Sequence, residues 1–186
     1  KDIMVAGRDG NGKWKTYSTK EYTDAIDTLS RALLQLGLKK GDRVGIMSGN
    51  RPEWNLVDFA CNQIGLATVP LYPTLSAQDL SFIVNDSDVN VLFVSNRELT
   101  DRIEQAIKEH GINPQLYTFD AIENYTQLKT FIETAKDDTT DLAPLREAVT
   151  EEDLLTLIYT SGTTGRPKGV YLSLIHISEP TRRTPI

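Results

Sequence analysis

Apolar and polar positions along this chain change period several times, and each change marks an element. "IMVAGRDGNGKWKTYS" alternates about Asp9-Gly10-Asn11-Gly12, which predicts an N-terminal β-hairpin with a tight turn. Ser18-Thr19-Lys20-Glu21 then reads as a capping box. Tyr22, Ala25, Ile26, Leu29, Ala32, Leu33 and Leu36 follow at helical spacing up to Gly37. "DRVGIMSGN" predicts a strand over 44–47, and Pro52 opens a helix carrying Trp54, Val57, Asp58 and Cys61. "LATVPLYP" suits a short buried strand, although Pro70 argues against a central place in a sheet.

The alternation continues toward the C-terminus. Ser76 caps a helix, "VNVLFVS" is a strand over 89–95, and "ELTDRIEQAIKEHG" is a helix ending at Gly111. "QLYTFD" is a strand, "YTQLKTFIETAK" a helix, "DDTTD" a polar loop, and 154–159 the last strong strand. Short strands alternating with longer helices require parallel pairing, because parallel strands need crossovers. The predicted fold is therefore α/β, a partial doubly wound and mostly parallel sheet with an N-terminal β-hairpin. Such sheets bind ligands at loops beyond the carboxyl ends of their strands.

Composition narrows the class without naming a function. The 186 residues are 39% hydrophobic and 25% charged, with a formal net charge of -6. That range is ordinary for a soluble globular domain, and the acidic balance argues against a nucleic-acid partner. Cys61 has no second cysteine to pair with and sits in an apolar pattern, as a small buried hydrophobe would. No apolar run approaches the roughly 20 residues of a membrane span. The start carries neither Met nor the apolar core of a signal peptide. A cytoplasmic location is expected, with peripheral membrane association left open. "DGNG" resembles the start of a calcium loop, but Lys13, Trp14 and Lys20 occupy places where an EF-hand needs an oxygen ligand, Gly and Glu.

The chemistry concentrates in "TSGTTGRPKG", residues 160–169, directly after the last strand. Gly162 and Gly165 permit positive φ, so successive N–H groups can turn toward one anion. Thr160, Ser161, Thr163 and Thr164 add short hydroxyl donors. Lys168 supplies an ammonium, and Arg166 is either a second cation or a solvated one. Pro167 stiffens the exit. The spacing is neither a Walker loop nor a Rossmann fingerprint. A plain polar loop between strands is the competing reading of these residue types. Other conspicuous residues suit structural roles: Tyr22 and Trp54 packing, Arg51 and Glu53 an exposed pair at a helix start, His110 the negative end of a helix dipole, and Glu151–Asp153 a solvated strand entry.

"YTSGTTGRPKGV" resembles the phosphate-loop signature of the adenylate-forming superfamily. "GDRVGIMSGNRPEW" and "IGLATVPLYPTLSAQDLSFIVNDS" resemble the N-terminal region of long-chain fatty-acid–CoA ligases. The resemblance implies a two-step ligase using ATP, Mg2+ and CoA to activate a fatty acid. Carried over by position, it implies that Thr160, Ser161, Gly162, Thr163, Thr164, Gly165 and Lys168 hold the β- and γ-phosphates. It implies no catalytic residue and no metal ligand within this stretch. On the same pattern residues 1–173 correspond to an incomplete N-terminal AMP-binding domain that is expected to be inactive alone. "LIHISEPTRRTPI", residues 174–186, departs from the pattern and reads as a non-native tail resembling sequencing-adapter read-through; no helix is expected across Pro180 and Pro185. Two alternatives stay open: a stand-alone nucleotide- or phosphate-binding α/β module, and a fragment of an adenylate-forming enzyme acting on another carboxylic acid.

Overall fold

A computed structural model describes residues 2–8, 13–160 and 165–178. The N-terminal hairpin pairs β1 (Ile3–Arg8) with β2 (Trp14–Ser18) antiparallel, as the alternation predicts; the turn at 9–12 lies outside the described residues. Helix α1 (Thr19–Gln35) starts at the capping box. The Glu21 N–H donates to Ser18 Oγ at 3.2 Å, and the Ser18 N–H donates to Glu21 Oε2 at 2.9 Å. Two amides that a helix start leaves unpaired are thereby satisfied within four residues. The helix stops at Leu36, followed by Gly37 at φ +83°.

The body then winds through β3 (Arg43–Met47), α2 (Pro52–Asn62), β4 (Ala67–Leu71), α3 (Ala77–Asp86), β5 (Val89–Val94), α4 (Arg97–His110) and β6 (Gln115–Thr118). It continues through β7 (Thr126–Gln127), α5 (Leu128–Glu133), α6 (Ala143–Glu147), β8 (Leu154–Thr160), β9 (Lys168–Ser173) and α7 (Leu174–Ser178). Among the described residues the main sheet has the order β7-β6-β5-β3-β4-β8-β9. All its pairs are parallel except β8 with β9. The chain runs outward from β3 to β4 and returns past it to β5, so the order reverses at the β3/β5 boundary.

Two cores flank the sheet, as helices on both faces require. On one side Val44, Ile46, Val91 and Phe93 meet Leu29 and Leu33 of α1 and Val57 and Cys61 of α2. On the other, Met47, Val69, Leu92, Val94, Leu157 and Tyr159 meet Leu80 and Ile83 of α3 and Ile103 of α4. Fully burying each aliphatic side chain of this kind contributes about 1.5–3 kcal/mol. Tyr22 belongs to the first core at 1% exposure, and its hydroxyl donates to the Pro52 carbonyl at 2.8 Å. Trp54 packs against the same core, so both aromatics are structural. Cys61 is fully buried, and burial pushes its thiol well above the ordinary range.

Several expectations need correction. Pro70 does sit within an interior strand. It stands beside Ile46 of β3, while the pairing with β8 is registered at Thr68↔Thr156 and does not reach the position where a proline has no N–H to give. The helix expected at "YTQLKTFIETAK" is shorter, because Thr126 and Gln127 pair with β6 as an edge strand and the helix begins at Leu128. Helices α6 and α7 were not expected; α7 ends before Pro180. Arg51 and Glu53 are half-buried rather than exposed, because Arg51 Nη1 also bonds Asp120 Oδ1 at 3.0 Å across the loops after β3 and β6. The acidic strand entry is not merely solvated either, since Asp153 pairs with Lys40 at 2.6 Å and accepts from the Thr150 N–H at 2.7 Å.

Two predictions follow from this packing. A Cβ at Gly45 would lie 2.7 Å from Leu92 Cδ1 and 3.0 Å from Val89 Cγ1, on a strand buried on both faces. Gly45→Ala is expected to lower the unfolding free energy by roughly 1–3 kcal/mol through overpacking; an unchanged urea midpoint would show that the core yields there. The second concerns acid. Burial alone would raise the Glu53 carboxyl, but the Arg51 hydrogen bond and charge outweigh it and hold the group below its ordinary value. A depressed folded value contributes stability above the unfolded value, and that contribution is lost as pH falls through the folded one. Urea midpoints taken downward through pH of about 4 are therefore expected to fall less steeply for Glu53→Gln than for the parent chain.

Candidate active site

Strands β3, β4 and β8 run parallel, so Thr160 stands at the same carboxyl edge as the loops after β3 and β4. Residues 165–167 return from the loop, and β9 pairs back along β8 with Thr160 opposite Lys168, Tyr159 opposite Gly169 and Ile158 opposite Val170. The sequence predicts a loop following a strand here. The structure adds that its far side is itself a strand, which brings Lys168 beside Thr160 at the hairpin mouth. Gly165 has φ +89°, the positive value expected from the anion-cradle argument. Ser161, Gly162, Thr163 and Thr164 lie outside the described residues. Of the seven predicted phosphate contacts, Thr160, Gly165 and Lys168 are thus placed, and they stand together.

A cleft of about 630 Å³ opens at this mouth. One wall is Tyr159, Thr160, Gly165, Arg166 and Pro167; the other is Tyr72, Thr74 and Leu75 after β4, with Asp79 and Ile83 of α3. The second wall escaped the sequence reading. A signal was available, since residues 72–75 follow the carboxyl end of the strand neighbouring β8, but that adjacency is set by strand order and cannot be read from spacing.

The cleft's charges are arranged around the hairpin. Asp79 is engaged locally: its carboxylate accepts from Ser76 Oγ at 2.7 Å, and its N–H donates back to that hydroxyl at 3.1 Å. Asp86 accepts the Tyr159 hydroxyl at 2.5 Å. Burial first, and then the Asp86 carboxylate, push the Tyr159 phenol upward, so it stays a proton donor. Arg166 is exposed, with its guanidinium 6.0 Å from the Phe82 ring centroid. Lys168 is exposed and has no ion-pair partner among the described residues. Among those residues there is also no cluster of three side chains able to hold a metal ion, and no helix long and apolar enough to cross a membrane.

A glycine-rich loop leaving the carboxyl end of a strand, a lysine returned to its mouth and an open cleft together suit a bound phosphate chain. Fatty acyl-CoA synthetase A of Dictyostelium discoideum is 35% identical, over 93% of this chain and 26% of that protein. Long chain acyl-CoA synthetase 3 of Arabidopsis thaliana is 31% identical, over 97% and 28%. The long-chain-fatty-acid–CoA ligase FadD15 of Mycobacterium bovis is 34% identical, over 94% and 30%. The chain therefore spans less than a third of the length of these relatives.

Solved structures agree on the fold. The anthranilate CoA ligase AuaEII superposes with a TM-score of 0.74 at 23% identity, over 86% of this chain and 30% of that one. The N-terminal domain of FACL13 from Mycobacterium tuberculosis gives 0.68 at 24%, over 86% and 38%. The AMP-binding enzyme family matches residues 2–179, which include every described residue and both strands of the site hairpin. The doubly wound sheet is thus that of a family, and this chain belongs to the AMP-binding enzymes.

Proposed function

We propose that this chain forms the phosphate-holding N-terminal part of an ATP-dependent fatty-acid–CoA ligase. The observation that carries the reading is the pairing of Thr160 with Lys168 at the mouth of a hairpin whose connecting residues, 161–167, read Ser-Gly-Thr-Thr-Gly-Arg-Pro. In the first step a fatty-acid carboxylate oxygen attacks the α-phosphorus of ATP. The bond to the bridging oxygen breaks, pyrophosphate departs, and an acyl-adenylate remains. In the second step the CoA sulfur attacks the acyl carbon, its proton is lost, and AMP leaves with the electron pair. Fatty-acid specificity is supported by the names of the three relatives described above.

In this reading Thr160, Ser161, Gly162, Thr163, Thr164 and Gly165 offer backbone N–H and hydroxyl donors to the β- and γ-phosphates. Lys168 sets an ammonium beside them. Negative charge grows on the departing pyrophosphate, so donors fixed there before reaction lower the barrier rather than only tightening binding. The exit through Pro167 restricts how far Lys168 can wander from Thr160. Magnesium enters as part of the MgATP substrate, and no step is routed through a protein-held metal.

Two measurements test the proposal in a protein that carries this segment at the relatives' length. Lys168→Ala is expected to slow ATP–pyrophosphate exchange by about 10²–10³-fold, the usual cost of one such donor. Fatty-acid affinity should change little, because Lys168 stands beside Thr160 at the hairpin mouth and does not line the cleft. Unchanged exchange with an altered chain-length preference would remove Lys168 from the phosphate site. A panel of carboxylic acids should show highest turnover with medium or long fatty acids; fastest turnover of an amino acid or an aromatic acid would reassign the substrate while leaving the adenylation step in place.

A further inference from the structure

Both described ends of the loop at 161–164 are fastened to one helix. Before the loop, the Tyr159 hydroxyl donates to Asp86 Oδ2 at 2.5 Å. After it, the Arg166 guanidinium lies over Phe82, 6.0 Å from the ring centroid. Phe82 and Asp86 are four residues apart on α3, so they share one helix face. Asp79 and Ile83 of the same helix line the cleft.

The reach from β8 to α3 depends on a glycine. Tyr159 stands opposite Gly169 in the hairpin, and a Cβ there would sit 3.1 Å from Tyr159 Cζ. The missing side chain leaves the ring room to lie against β9, with its hydroxyl directed at α3. The ring is 5% exposed, so its hydroxyl needs a partner, and a carboxylate acceptor makes the bond charge-assisted.

We propose that the Asp86–Tyr159 hydrogen bond is a positioning device that pins the mouth of the β8–β9 hairpin to α3 and so sets where Thr160 and Lys168 stand. The proposal rests on the phosphate reading above for its consequence, and neither Asp86 nor Tyr159 touches phosphate in it. Lys168 pairs with Thr160, one register step beyond the anchored Tyr159–Gly169 pair. One strand residue spans about 3.4 Å, so little chain separates the anchor from the ammonium to absorb a displacement. Misplacement of a reacting arrangement by about 1 Å can cost about 100-fold in rate.

Amide hydrogen exchange on the 15N-labelled chain tests this without relying on turnover. Tyr159→Phe and Asp86→Ala are each expected to speed exchange at Thr160 and Lys168 about tenfold, the scale of one lost hydrogen bond. The double variant should add nothing further, because both changes delete the same interaction. Asp86→Asn keeps a carbonyl acceptor and should restore most of the protection. Amides of Val44 and Phe93 report whether the core stays folded. Unchanged exchange at Thr160 and Lys168 in both single variants, or additive effects in the double, would overturn the positioning role. Inorganic pyrophosphate titrated into the parent chain is read separately. Amide shifts at Thr160, Gly165 and Lys168 support the phosphate reading. Their absence would take down that reading while the exchange data still decide the anchor.

Discussion

The β8–β9 hairpin carries every candidate phosphate contact, and it joins the parallel sheet along a narrow seam at Thr68. Thr68 is fully buried and pairs with Thr156, and its carbonyl accepts the Thr156 hydroxyl at 3.0 Å. Its own hydroxyl donates to Asp58 Oδ1 at 2.7 Å, tying the seam back to α2. Two residues farther along β4, Pro70 has no N–H to extend the ladder, and the registered pairing with β8 does not reach it. Toward its carboxyl end β8 therefore needs another hold, and that is where Tyr159 crosses to α3. Burial raises the Asp58 carboxyl while the hydrogen bonds from Thr68 and Asn62 pull it the other way, so even the seam's polar anchor is a compromise between desolvation and bonding.

That geometry explains why the site sits at the carboxyl edge of the sheet. Parallel winding delivers each loop after a strand to one edge, and the reversal of strand order at β3/β5 spreads those loops apart. At the reversal Arg51 ties the loops after β3 and β6 together: it bonds Glu53 and Asp120 and lies 5.3 Å from the Phe119 ring centroid. The opening is displaced toward β4 and β8, where the loop at 72–75 and the hairpin mouth stand apart and leave a cleft.

Local signals in the chain were readable because their physics is local. The Ser18–Glu21 box, Ser76 as a helix cap, Pro52 in a first turn and Gly111 at φ +70° each resolve within four residues, and the structure has all of them. What escaped depends on partners distant in sequence. Arg51 and Glu53 look like a surface pair until β6 brings Asp120 alongside, 69 residues later. Thr126 and Gln127 continue a helical pattern until the edge of β6 offers them a ladder. At the site, the residue types of "TSGTTGRPKG" suggested an anion cradle but left a plain polar loop as the competing reading, and the choice between them came from the family resemblance. Yet the wall at 72–79 and the tether at Asp86 are consequences of strand order, and no spacing in the chain encodes that order.

The same reasoning bears on how an acidic chain could receive a polyanion. A net charge of -6 repels at long range, but ions screen that field beyond about 8 Å at physiological salt. Within that distance the arrangement of bonds matters more than the total. Asp79, which lines the cleft, and Asp86 each accept from a protein hydroxyl, Ser76 and Tyr159 respectively. Each carboxylate thus has a hydrogen-bond partner, while Lys168 stands exposed on β9 with no ion-pair partner among the described residues. An anion at the hairpin mouth would thus have Lys168 and Thr160 beside it, paired across the two strands. The Asp86–Tyr159 bond ties the end of β8 to α3 and gives the Asp86 carboxylate a hydroxyl partner within the protein.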